Sequence, residues 1–108
     1  MSVPCSCPKP PYYSAIFTNQ KNEDDAGYDD MADRMVDLAS QQPGFLGVDS
    51  ARDNEGFGIT VSYWSDLESI KNWRNNAGHL QAQRMGREQW YQSYSLRIAK
   101  VERAGVGP

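Results

Sequence analysis

The chain contains one histidine, His79, and three tryptophans, Trp64, Trp73 and Trp90. Imidazole is the side chain whose ordinary pKa allows proton uptake near neutral pH. Tryptophan and phenylalanine offer flat apolar faces that suit a planar substrate. Arg84, about one helical turn beyond His79, supplies a cation able to hold an anion as it develops. Brought together, these groups would bind an aromatic molecule, remove a proton from it and stabilise the product of that step. His79 and Trp73 are the catalytic candidates, with Phe17, Trp64, Arg84 and Trp90 as substrate-binding candidates.

Each of these residues also has an ordinary structural use. Trp64 and Trp73 fall at positions that would pack a core. His79 follows a helix break beside Asn75, Asn76 and Gly78, where a histidine can cap or sit at the surface. Arg84 and Arg87 read equally as a solvated helix face, and Trp90-Tyr91 as a plug. Tyr63 has the opposite strand parity from Trp64, so a regular strand cannot turn both into one pocket. The neighbouring acids Asp24-Asp25 and Asp29-Asp30 suit the first turn of a helix, where the macrodipole favours negative charge, better than a metal or glycosidic site. Met31, Met35 and Met85 are core filler by their spacing. Cys5 and Cys7 supply two ligands where a structural zinc takes four, and no further cysteine completes the set, so no metal is expected. There is no Ser-His-Asp set, phosphate loop or G-x-G-x-x-G.

The stretch Gly56 to His79 carries the clearest local signals. Alternating Phe57, Ile59, Val61 and Tyr63 predict a strand with that face buried. Ser65-Asp66-Leu67-Glu68 has capping-box spacing, with Ser65 as the cap. Leu67, Ile70 and Trp73 then step by three, predicting a helix to about Asn75, with a further helical piece from His79 to about Glu88. Upstream, Tyr12–Asn19 reads as a strand. A helix spans roughly Ala26 to Gln41, with Met31, Met35, Val36 and Leu38 on one stripe. Pro43-Gly44 stops it, and Phe45–Arg52 is extended again. Asp53-Asn54-Glu55-Gly56 has the chemistry of a hairpin turn. Trp90 to Arg103 reads as a long last strand.

Residues 1–11 are a Pro-rich leader, 12–103 a single domain and 104–108 a tail. The order β-α-β-β-α-β predicts an α+β, ferredoxin-like fold, a four-stranded antiparallel sheet with its helices on one face. Strands 1, 2 and 4 carry apolar residues of both parities, more than one helical layer can cover. A symmetric homodimer packing sheet against sheet is therefore expected.

The acids and bases are interspersed and the net charge is -3, which argues against nucleic acid as the partner. No apolar run suits a membrane span, and the leader lacks the apolar core of a signal peptide, so a cytoplasmic protein is expected.

The junction QQPGFLGVDSAR (Gln41–Arg52), the corner ITVSYWSDLESIKNW (Ile59–Trp73) and the run His79 to Gln83 resemble the antibiotic biosynthesis monooxygenase family of dimeric α+β barrel proteins. The resemblance covers nearly all of residues 12–103. It implies a dimer and a cavity between the helices and the sheet of each subunit. It also implies a cofactor-independent monooxygenase acting on an aromatic, phenolic or quinol substrate. A non-catalytic small-molecule-binding or stress-associated domain is the alternative. Haem binding or degradation is a third reading. Haem-degrading relatives combine a strand-1 Asn, a Trp on the second helix and a His about ten residues after that Trp. Here Trp73 fits the tryptophan, but the strand-1 Asn would have to be Asn19, at the strand's end, Gln83 stands at the third position and His79 comes earlier. No cofactor is expected.

Overall fold

The computed structural model describes residues 4–6 and 8–108. Cys7 lies outside them, so the question of a Cys5–Cys7 pair does as well. The elements are β1 (Tyr12–Lys21), α1 (Tyr28–Ser40), β2 (Phe45–Arg52), β3 (Phe57–Trp64), α2 (Leu67–Arg74), α3 (Ala77–Met85) and β4 (Tyr91–Val101), with a single π-helical turn (Gly86–Trp90) joining the last two. The strands form one four-stranded sheet in the order β2-β3-β1-β4, every neighbouring pair antiparallel. This is the ferredoxin-like α+β arrangement read from the sequence.

Local chemistry explains the boundaries. Gly44 adopts φ 85°, and a side chain there would collide with the hydroxyl of Ser69, so only glycine lets the chain turn tightly from α1 into β2. Asp29 and Asp30 occupy the first turn of α1. The cap of α2 is Asp66, not Ser65: its Oδ1 accepts from the Ser69 N–H at 2.7 Å. A carboxylate accepts that bond with full charge, so it displaces the neighbouring hydroxyl as the cap. Asn76 caps α3 by accepting from the N–H groups of Gly78 and His79. The predicted second helix and the helical piece after it are therefore two separately capped helices.

Two irregularities decide which side chains share a face. A shift in β2 between Phe45 and Gly47 puts Phe45 and Val48 on the helix-facing side together. Another between Gln20 and Lys21 brings Tyr91 to the same face as Tyr94, a parity change that a bulge imposes on its strand. On β3 the helix-facing residues are Gly58, Thr60, Ser62 and Trp64. The alternating set Phe57, Ile59, Val61, Tyr63, expected to be buried, faces the other way. Phe57 and Ile59 are exposed there. On that outer face Tyr63 donates to Asp49 Oδ2, and the backbone N–H of Cys5 donates to Asp49 Oδ1, tying the leader to β2.

The core lies under the β2–β3 end of the sheet. Ala39, Trp64 and Trp73 are buried there, with Met35, Leu38, Phe45 and Ile70 packed around them. Trp64 is completely buried and donates from Nε1 to Ser62. No helix among the described residues is long and apolar enough to cross a membrane.

Candidate functional site

The helix-facing side of the sheet changes character along its strands. At one end the aromatic stack of the core is closed. Trp64 and Trp73 lie 6.1 Å apart with their rings 26° from parallel, and His79 stacks on Trp73 at 4.1 Å and 10°. His79 Nδ1 is 3.0 Å from the Trp73 carbonyl. When Nδ1–H donates there, Nε2 is the nitrogen left to accept a proton. Burial lowers the His79 pKa, partly opposed by that hydrogen bond, so the ring is neutral at pH 7.

Along the middle of the sheet the helix-facing side chains other than Phe17 are short. Ala15 and Phe17 on β1 stand beside Ser62 and Thr60 on β3, and Val48 and Ser50 lie beyond them on β2. On the edge strand β4, Tyr94, Leu96 and Ile98 face the same way and stay half exposed. This makes a trough floored by small residues, with an apolar margin along β4.

The far end of the trough is polar. Arg52, Gly58, Asn19 and Tyr94 are successive cross-strand partners, one from each strand, in a single row across the sheet. Six residues of β1 separate this row from Tyr13, which pairs with Trp64, so the two ends are roughly 20 Å apart at the usual strand rise. Asn19 is 2 % exposed, and both its Oδ1 and Nδ2 are buried with no hydrogen-bond partner. An orphaned buried amide costs about 1–3 kcal/mol.

Around it stands an aromatic cage. Phe17 meets Tyr91 edge-on at 5.3 Å and Tyr94 at 5.6 Å, and Tyr28 meets Trp90 and Tyr91 edge-on. The Tyr28 oxygen accepts from Tyr91 Oη at 3.1 Å and from Arg52 Nη2 at 2.7 Å. Its own proton is thus free to be donated elsewhere. Burial, then the bond to Tyr28, raises the Tyr91 pKa well above the usual phenol range. Lys21 Nζ lies 4.8 Å over the Tyr28 ring and is held by Asp25.

The sequence-derived candidates are thus divided. His79, Trp73 and Trp64 belong to the closed stack. Phe17 and Trp90 belong to the cage, where Trp90 is buried and donates from Nε1 to the Ala26 carbonyl. Arg84 is exposed on α3. Arg52, Tyr28 and Tyr94 carry no functional signal in the sequence, Tyr91 reads there only as part of a plug with Trp90, and Asn19 only as the strand-1 Asn of the haem comparison. Their convergence depends on register and on the bulge at Gln20/Lys21. An open groove of about 310 Å³ between α1 and α3, lined by Met31, Met35 and Leu38, lies apart from this chemistry. Among the described residues no cluster of three His, Cys, Asp or Glu side chains could hold a metal ion.

The sequence profile described as antibiotic biosynthesis monooxygenase matches residues 11–85. The chain belongs to that family. Protein YqjZ of Bacillus subtilis, named as uncharacterized, is 53 % identical over 96 residues, 89 % of this chain and 84 % of its own. A jasmonate monooxygenase of Pyricularia oryzae is 37 % identical over 46 residues, 43 % of this chain but 21 % of that longer protein. Among solved structures, the cofactor-independent oxygenase SnoaB of Streptomyces nogalater superposes with a TM-score of 0.75 at 12 % identity, covering 88 % of this chain and 97 % of SnoaB. PA3566 of Pseudomonas aeruginosa gives 0.71 at 18 % identity, covering 90 % of this chain and 98 % of its own. At these identities the structural likeness establishes the antibiotic biosynthesis monooxygenase fold.

Proposed function

We propose that this protein is a cofactor-independent monooxygenase that oxidises an aromatic, phenolic or quinol molecule lying in the trough. The observation that carries the reading is the unpartnered amide of Asn19 at the trough's polar end. A buried amide kept without a partner fits a group reserved for a ligand. Oxygenation without a cofactor needs a substrate that becomes an electron-rich phenolate or enolate. The protein must bind its flat body, help remove a proton, hold the anion and exclude water. Phe17 and the tyrosine rings, backed by buried Trp90, would part to flank the substrate, and Asn19 Nδ2, covered in the ligand-free chain, would then donate to its developing oxyanion. Neutral His79, backed by Trp73, would serve a substrate long enough to span the trough as the proton acceptor at the opposite end. Trp64 would support that end from beneath, and Arg84 would hold negative charge near the α3 rim. For a phenol-activated CH₂ the balance closes with O₂ alone. One oxygen atom becomes the carbonyl, and the other leaves as water with the two hydrogens.

The working unit is proposed to be a cytoplasmic homodimer packed sheet against sheet. Support comes from Phe57 and Ile59, 44 % and 41 % exposed on the face opposite the helices. Size-exclusion with light scattering at micromolar concentration tests this, and a stable monomer contradicts it.

Oxygen uptake with a panel of hydroquinones and anthrones tests the reaction. Uptake that falls at least tenfold in Asn19→Ala is expected, and His79→Ala should depress it only for a substrate long enough to reach both ends of the trough. No uptake on any substrate, with saturable binding of hydrophobic dyes, would instead favour a non-catalytic binding domain. A Soret band on haem titration would favour haem chemistry.

A further inference from the structure

The polar row contains a second group of interest, a charge with two hydrogen bonds and the face of the Tyr28 ring 5.2 Å away but no counter-ion. Arg52 ends β2 on the helix-facing side, half-buried. Its partner across the ladder is Gly58, and a Cβ there would stand 2.7 Å from the guanidinium carbon. The guanidinium therefore lies flat on the sheet in the space that the missing side chain leaves. It sits over β3, one strand from Asn19, a spacing of about 5 Å.

Two of its five N–H donors are used. Nη1 donates to the Gly56 carbonyl at 2.6 Å and Nη2 to the Tyr28 oxygen at 2.7 Å. Both acceptors are neutral. The one ion pair among the described residues joins Lys21 to Asp25, so Arg52 has no counter-ion. The adjacent Asp53 is turned into the hairpin, where its Oδ1 accepts from the backbone of Glu55 and Phe57. A half-buried guanidinium bonded only to neutral oxygens retains a strong preference for an anion, and its planar fork matches a carboxylate.

We propose that Arg52 determines specificity by binding a carboxylate on the substrate, so that the trough takes aromatic acids in preference to neutral phenols. The inference rests on the trough being the substrate site. With the carboxylate on Arg52, an ortho hydroxyl on the same ring falls beside Asn19, one strand away. The acid group anchors the molecule and the amide meets the oxygen that must bear charge. Lys21, neutralised by Asp25, does not compete for the acid.

The test is equilibrium binding of 1-hydroxy-2-naphthoate and 1-naphthol to the full chain, followed by tryptophan fluorescence at two ionic strengths. The naphthoate is expected to bind at least tenfold more tightly, and its affinity alone to weaken with salt. Arg52→Gln should cut naphthoate affinity at least tenfold and change naphthol binding less than twofold. Gly58→Ala keeps the charge but drives the guanidinium from its seat, and should erode the same preference. It answers the question even if Arg52→Gln fails to fold. Equal affinities, no binding of either probe, or a preference that survives both substitutions overturns the proposal. Oxygen uptake separates the two readings. A naphthoate preference without uptake on any substrate leaves Arg52's role standing and removes the oxygenase. Uptake that is equal on acid and neutral substrates and indifferent to Arg52→Gln does the reverse.

Discussion

Trp64, Trp73 and Ala39 at one end of the helix-facing sheet form a buried aromatic cluster, and Asn19, Arg52 and the tyrosines at the other a partly exposed one, built on opposite terms. In the first, the indole N–H of Trp64 and the Nδ1 of His79 both have partners, and the rings stack with Phe45 closing the edge. In the second, an amide is orphaned and a guanidinium lacks its anion. Packing and these bonds account for the first, with His79 Nε2 its one atom left for chemistry. The second costs stability in the free protein, and such a cost persists where a ligand recovers it. The residue types that look most chemical in the sequence, tryptophan and histidine, lie mainly in the satisfied cluster.

The two ends should respond differently to substitution. Trp64→Ala removes a fully buried indole and leaves a cavity, and should destabilise by about 3–5 kcal/mol. Denaturant titration measures it, and a loss below about 1 kcal/mol would mean that the stack is not the core. Asp66→Ala deletes the α2 cap and should cost about 1 kcal/mol. Ser65→Ala, by the same titration, should cost clearly less; the reverse order would restore Ser65 as the cap.

The smallest effect is that of pH. Burial holds the folded His79 pKa below its ordinary 6.5. Its contribution to stability is therefore complete above about pH 6.5 and is lost as pH falls from there toward the lower folded value. Melting temperatures of wild type and His79→Gln should converge as pH drops through that window. A wild type that gains relative stability on acidification would show the ring to be charged in the fold.

Much of the architecture was legible because strand and helix periods and the Pro-Gly and Asn-Asn breaks are local properties. The α1 stripe and the hairpin at Asp53–Gly56 are examples. Two things were not. The Phe57–Tyr63 alternation marks an apolar face without saying which, and here the face opposite the helices is the apolar one on β3, while Thr60 and Ser62 floor the trough. Parity counting also assumes an unbroken ladder, and one shift near Gln20 carries Tyr91 across to join Tyr94 and Phe17. The functional row is a cross-strand object whose members are separated by most of the chain. Asn19 in particular reads as the frayed end of a strand until Gly58 and Tyr94 are placed beside it.

The most direct test of the contrast is the thermal stability of ligand-free Asn19→Leu. Leucine has similar volume and no polar atoms, so it removes the orphaned amide without opening a hole. If the amide is kept for a ligand, the variant should be more stable than the wild type by about 1–3 kcal/mol. A variant destabilised by a similar amount would show that Asn19 is satisfied within the fold, and would contradict the distinction between the two ends of the trough.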